Sequence, residues 1–467
     1  MHKYQLIAQQ LRKMIISGKY HGKLNSQRQL AKQFNCGRNT IIAAMQLLSN
    51  QGLIHQYQKR VAEVPSNVMS SGKLELFLSQ SGFEVPKVHK ALELRDTGVF
   101  AQRMLSLAMV GDSNWDGHLN QRYVLEAADI ALKHQMAGEY DDMYDDQGML
   151  ELREQICRYE ERRGIKARPE NVLVVTRRLQ TYHFLLTVLL GRSTELWVPE
   201  LSLCHYYGIG DHKVRNKKIL PFDEQGPNFS ECGRSTHPKI ILLEPTRPKP
   251  NAVSMSESRR LEAVKYACQT QTYIIEDRYC ETMYEEMLTP LIVHDPQFTS
   301  VVSIGGIPTW VSPAAGISWV VADKKIIDFC RAVARREFGP PGFMSQMVAA
   351  EVMRSGVIDE MINATQAYHR HYCAWIENKL NEYLKDIATW IFPGSYGCIW
   401  LKFRDQINLT KLWKYRSEVD FQLGSMYGEI ANQHLLLRYG IHPEQFEEGL
   451  KRLRALYLQL RRTPQKS

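Results

Sequence analysis

An α/β fold is expected for this chain: a small helical head, a large body built on a mostly parallel sheet, and a smaller C-terminal α+β lobe. Three observations predict it. Short β-rich runs alternate with helical stretches from about residue 124 to residue 335, the pattern of a parallel sheet with helices on its faces. After about residue 335 the pattern turns helix-rich, with strands expected at 398–403 and 435–438 and a helix at 444–460. The first 70 residues hold ten Lys and Arg against a single acid, Glu63, so they carry the chain's entire net charge of +9.

Length and composition set the outer limits. A chain of 467 residues predicts two or three domains. Hydrophobic residues at 44% and charged residues at 23% are ordinary for a globular protein, which excludes disordered, collagen-like and coiled-coil classes for the bulk of the chain. No apolar run approaches ~18 residues, so no membrane span is expected. Residues 1–5 lead into a polar amphipathic pattern without an apolar core, so no secretory signal is expected. The nine cysteines include no CxxC pair. They read as reduced thiols of a cytoplasmic protein, with no metal site.

The head is justified element by element. Residues 4–16 place Leu6, Ile7, Leu11, Met14 and Ile15 at helical spacing, and Gly18 ends the helix. Ser26 is a good N-cap for a second helix over 27–34, with Leu30, Ala31 and Phe34 on one face. Residues 35–37 make a short turn. A third helix over 38–50 turns Ile41, Ala44, Met45 and Leu48 inward. Residues 53–57 and 61–64 can pair as a two-stranded wing with Gln58, Lys59 and Arg60 at its tip. A basic winged helix-turn-helix is the footprint of duplex DNA binding. The plain alternative is a solvated basic surface without a partner.

The stretch from Lys23 to Ile54 resembles the DNA-binding domain of the GntR family. It keeps Leu24, Ser26, Arg28, Leu30 and Ala31 of the pattern Leu-Pro-Ser-x-Arg-x-Leu-Ala, then Arg38, Thr40, Ile41, Leu48, Gly52 and Leu53. It departs at Asn25, at Gly37 and at the wing tip. The resemblance implies double-stranded DNA as partner. Arg38, Asn39 and Thr40 would be presented to the major groove, and Ser26, Arg28, Gln58, Lys59 and Arg60 would meet phosphates or the minor groove.

The body follows a linker over 66–105. Strands are expected at 173–175, 195–198, 240–243, 273–275 and 301–304, and helices at 150–163, 181–190 and 257–268 separate several of them. The expected division is a head over 1–65, a linker over 66–105, a large domain over 106–335 and a small domain over 336–467.

The order of short motifs in this body resembles fold-type I aminotransferases, and specifically the MocR-type regulators that join a GntR head to such a body. Tyr144, Gly148, Leu152 and Arg153 match one segment, and Met255, Ser256, Arg259 and Arg260 a second. The run from Glu276 to Tyr279 is similar to Glu-Asp-Asp-Tyr, Ser303 to Gly305 to the start of Tyr-x-Gly-x-x-Ser-Lys, and Leu437 to Gly440 to Leu-Arg-Leu-Gly.

In such enzymes pyridoxal phosphate is held as an imine on a lysine. The resemblance places Thr309 where that lysine belongs and Gly316 where a phosphate-binding arginine belongs. Its Ser-Gly-x-Gln phosphate cup reads Arg177, Arg178, Leu179 and Gln180 here. The Gln and Gly of its Pro-x-x-Gln-x-Pro-x-Gly segment are replaced between Pro245 and Ala252, and the ring-stacking aromatic falls near Leu203. Asp277 matches the carboxylate beside the pyridine nitrogen, Tyr279 the phenol near the cofactor oxygen, and Arg438 the arginine that grips a substrate carboxylate.

The resemblance therefore implies a homodimeric, sequence-specific transcriptional regulator without catalytic residues. Its effector pocket would be drawn from Arg177, Arg178, Gln180, Asp277, Tyr279, Thr309 and Arg438, and a carboxylate-bearing effector would suit it. No covalently bound cofactor is expected. Two alternatives stay open: a regulator that holds pyridoxal phosphate non-covalently, and an active aminotransferase using another lysine, such as Lys249, Lys324 or Lys325.

Overall fold

The computed structural model describes residues 3–16, 20, 23–50, 54, 61–62, 117–138, 145–191, 193–206, 208–209, 216–230, 232, 238–279, 281, 288–308, 317–337, 339–392, 398–415, 419, 421–438 and 443–462. The chain divides into two compact units, Met1–Lys90 and Ala91–Ser467. The expected head and linker ends at residues 65 and 105, and most of the expected wing, lie outside the described residues.

The described residues of the first unit form three helices, α1 (Lys3–Ile16), α2 (Gln27–Gln33) and α3 (Arg38–Asn50). Ile7, Leu11 and Ile15 of α1 meet Leu30 of α2 and Ile41, Ala44, Met45 and Leu48 of α3 in one buried core. Leu6 is exposed, while Ala8 joins the core. Asn35 takes a positive φ of 44°, which lets the chain turn within a few residues from α2 into α3. The Leu24 amide donates to the Ala62 carbonyl at 2.9 Å, tying the segment before α2 to the segment expected in the wing.

The described residues of the second unit begin with α4 (Gly117–Met136), α5 (Leu150–Glu161), β1 (Val172–Val175), α6 (Arg178–Leu189), β2 (Glu195–Pro199), the short α7 (Leu203–Tyr206) and β3 (Asn216–Leu220). A two-stranded ribbon follows, β4 (Phe222–Asp223) with β5 (Gly226–Pro227), then β6 (Lys239–Leu243), α8 (Glu257–Gln269), β7 (Thr272–Asp277), β8 (Val301–Gly306), β9 (Ser318–Val321) and α9 (Lys324–Glu337). Seven strands form one sheet in the order β1-β9-β8-β7-β6-β2-β3. Six of them point the same way, and β9 alone is reversed, antiparallel to both of its neighbours. The expectation of a mostly parallel sheet thus holds, while β3 and β9 were not foreseen.

Strand alternation sends successive side chains to opposite faces. One face (Val172, Val174, Ile241, Ile274, Val301, Trp319) packs under α4, α5 and α8. The other (Leu173, Ile240, Leu242, Ile275, Val302, Val320) packs under α6 and α9. This double cover explains why the strands read as continuous apolar runs.

The remaining elements are α10 (Phe343–Arg354), α11 (Val357–Leu384), β10 (Ala388–Ile391), β11 (Cys398–Phe403), β12 (Phe421–Leu423), β13 (His434–Arg438) and α12 (Pro443–Arg462). β10-β11-β13-β12 form an antiparallel sheet. Its core joins Tyr372, Ile376 and Leu380 of α11 with Phe446, Leu450 and Leu453 of α12. Met347 of α10 and Ile358 and Met361 of α11 still belong to the first core, so the 28-residue α11 spans both.

Candidate functional site

Two regions carry chemistry, and each is built by local rules. In the head, Ser26 caps α2 reciprocally: its hydroxyl accepts the Gln29 amide at 3.4 Å, and its own amide donates to the Gln29 side chain at 2.9 Å. Arg28 therefore stands exposed in the first turn of α2. Arg38, Asn39 and Thr40 form the first turn of α3, with Arg38 and Asn39 exposed and Thr40 half-buried. Arg38 is steered from α2, since its Nε donates to Gln27 Oε1 at 3.1 Å. A helix whose first turn offers a guanidinium and an amide has the groups that read base edges. Gln58, Lys59 and Arg60 lie outside the described residues.

In the body, the site forms at the carboxyl ends of the parallel strands, where open α/β sheets bind ligands. β7 delivers Asp277 there, and the turn after β1 delivers Arg177 and Arg178. Arg177 and Gln180 are exposed, whereas Arg178 turns inward. Its Nη1 lies 3.4 Å from Asp277 Oδ2, and its guanidinium carbon 5.4 Å from the centre of the Tyr279 ring. Tyr182, one helical turn beyond Arg178, donates its hydroxyl to the same Asp277 oxygen at 2.6 Å. The spacing of four residues on α6 is what lets both reach one carboxylate. The Tyr279 amide donates to Oδ1 at 2.9 Å. Burial, and next the charge of Asp277, push the Tyr182 phenol well above its ordinary range, so it stays a donor. Gly306 is required beneath Tyr279, because a Cβ there would sit 2.4 Å from the ring.

Beside this cluster runs a cleft lined by Pro199, Ser202, Phe222, Glu244, Lys249 and Asn251. Burial raises the Glu244 carboxyl to about 7; Arg178 opposes the shift and Asp277 adds to it. Ser318, at the start of β9, shares a sheet face with Val320 and is fully buried. Its hydroxyl has no hydrogen-bond partner among the described residues.

Sequence reasoning brought Asp277, Tyr279 and Arg178 into one pocket, and the structure places them together. It missed Tyr182, Glu244 and Ser318. The signal for Tyr182 was its spacing from Arg178. Leu203 sits in a small apolar cluster with Trp400 and Tyr427. Arg438 ends β13 opposite Cys398, and its side chain, like Thr309 and Gly316, lies outside the described residues.

A buried charge network on the opposite sheet face was also missed. Arg278 grips Glu160 through two bonds of 2.9 and 3.1 Å and donates to Ser303 at 2.7 Å. Glu281 lies 3.4 Å from it and pairs with Arg163 at 3.1 Å, while Trp319 donates to Glu160 at 2.6 Å. Glu276 accepts Ser303 and the Leu291 and Ile292 amides, and its burial raises its pKa. The departure from Glu-Asp-Asp-Tyr at Arg278 was the visible sign of this network.

Comparison with known proteins agrees with both regions. Residues 3–64 match the bacterial regulatory proteins of the gntR family. The HTH-type transcriptional regulator YdfD of Bacillus subtilis (strain 168) is 24% identical over 469 residues, covering 97% of this chain and 95% of that protein. The HTH-type transcriptional regulator NorG of Staphylococcus aureus (strain N315) is 24% identical over 401 residues, covering 84% and 88%. Among solved structures, an archaeal alanine:glyoxylate aminotransferase superposes with a TM-score of 0.63 at 18% identity, covering 72% of this chain and 86% of that one. An aromatic aminotransferase from Pyrococcus horikoshii OT3 gives 0.63 and 18%, covering 72% and 92%.

The N-terminal unit is a gntR-family helix-turn-helix domain, and the body has the aminotransferase fold. Together they make the MocR-type architecture. That fold implies pyridoxal phosphate, and the residues present do not fit it at the ring nitrogen. Asp277, the carboxylate that the resemblance sets beside the ring nitrogen, is already engaged by Tyr182 and Arg178.

No described helix is long and apolar enough to cross a membrane.

Proposed function

We propose that this protein is a sequence-specific, DNA-binding transcriptional regulator whose aminotransferase-fold body serves dimerisation and effector sensing in place of catalysis. The observation that carries the reading is the exposed first turn of α3, with Arg38 and Asn39 at the front of a head that holds the chain's whole basic excess. Relatives spanning nearly the full chain, named as HTH-type transcriptional regulators, support it. The first turn of α3 enters the major groove, while Arg28 and neighbouring cations hold phosphates. The body contributes a second copy, hence a second head for a second half-site. An effector acts by binding one arrangement of the dimer better than another. The cleft at Glu244 and Lys249 is where such a molecule would bind.

The resemblance also places a threonine, Thr309, at the imine position, and a hydroxyl cannot form an imine. We therefore propose a pseudoenzyme. The test is a gel shift on selected genomic fragments with full-length protein. Arg38→Ala should weaken specific binding by about 1–3 kcal/mol, and removing residues 1–65 should abolish it. Undiminished binding after that removal, or amino-group transfer from common amino acids to 2-oxo acids, would overturn the reading.

A further inference from the structure

We propose that Arg178 is a built-in counter-cation for Asp277, standing in for the protonated ring of pyridoxal phosphate. The inference does not depend on whether the head binds DNA.

Asp277 is buried at the end of β7 and must have partners. A cofactor-binding site of this fold would leave one carboxylate oxygen for the ring nitrogen. Here both oxygens are served from within the chain. Oδ1 takes the Tyr279 amide, and Oδ2 takes the Tyr182 hydroxyl together with the Arg178 guanidinium. The guanidinium also lies over the Tyr279 ring, a favourable position for a cation. Glu244 adds a second carboxyl within electrostatic reach of Arg178.

A protonated pyridine entering this site would set a second cation beside Arg178 at a single carboxylate. To relieve that repulsion Arg178 must leave, which breaks a charge-assisted pair in a sparsely hydrated place. Arg178 is thus both the partner that satisfies Asp277 and the group that excludes the ring.

Calorimetric titration of the full-length protein with pyridoxine 5′-phosphate tests this. That probe keeps the ring nitrogen and the phosphate but has an alcohol where the aldehyde would react with surface lysines. Wild-type protein should show no one-to-one binding below millimolar probe. Arg178→Ala and Arg178→Gln should each bind at least about tenfold more tightly than wild type. Arg178→Lys, which keeps the cation, should not. Adding Asp277→Asn to Arg178→Ala should erase the gain. One-to-one binding by wild type at micromolar probe overturns the proposal, and so does the absence of any gain in the folded Arg178 variants. If Arg178→Ala does not fold, Arg178→Gln, close to arginine in shape, and the wild-type titration still decide.

Discussion

Arg278 occupies a position where the resembling family carries an aspartate, and it stands at the centre of a buried charge network. Its guanidinium is fully surrounded by protein. Loss of hydration opposes its charge, but Glu160, Glu281 and Glu276 more than compensate and raise its pKa. Removing one partner of such a pair leaves a buried charge uncompensated. Glu160→Ala is therefore expected to cost about 3–5 kcal/mol of stability, read by urea denaturation. A loss under about 1 kcal/mol would contradict the buried-pair account.

His434 shows the opposite case, a base kept neutral. It stacks on Trp400 with ring centres 4.8 Å apart. Burial, with a smaller push from Lys402, lowers its pKa to about 4 from the usual 6.5. As pH falls through 6.5 the unfolded chain takes the proton first. The stabilisation is thus complete above about pH 6.5 and drains away toward pH 4. The stability gap between wild type and His434→Gln should shrink between pH 7 and pH 5. A gap that widens in urea midpoints would refute this assignment.

Helix ends decide whether the head presents its side chains. α2 is only seven residues long, too short to persist without packing and caps. The Ser26–Gln29 box satisfies donors at its start, and Leu30 anchors it in the core. Ser26→Ala should lower head stability by about 0.5–2 kcal/mol, seen in thermal melts of the full chain by helix signal. Operator affinity should fall with it, because Gln27, in the same turn, positions Arg38. Unchanged melting and unchanged affinity would show that the cap is dispensable.

The body's use follows from its assembly. We propose a homodimer built on the aminotransferase-fold body, because that fold's resemblance implies two-fold pairing and a palindromic site needs two heads. Light scattering at micromolar concentration should give twice the 54.0 kDa chain mass. The affinity for a two-half-site duplex should fall steeply with added salt as phosphate contacts release counterions. A monomer that binds one head per site would remove the dimer from the mechanism.

Much of this architecture is local and so was readable before any coordinates. α3 and β11 begin and end at the expected residues, since capping, apolar spacing and β-branched runs act over a few positions. The basic head was visible as charge, and Asp277, Tyr279 and Arg178 as departures from or matches to a motif. β9, a four-residue buried strand without alternation, was not expected. Tyr182 and Asp277 are 95 residues apart, and Glu160 and Arg278 are 118 apart. Neither pairing is encoded by any local period. The strand order of the sheet brings β7 beside β8 and under α6, and only then does one carboxylate acquire a phenol and a guanidinium. Residue types alone allowed Arg178 to be a new phosphate ligand or a block of the phosphate site. Its inward turn to Asp277 chose among them, because a buried carboxylate takes whichever cation the packing leaves within reach.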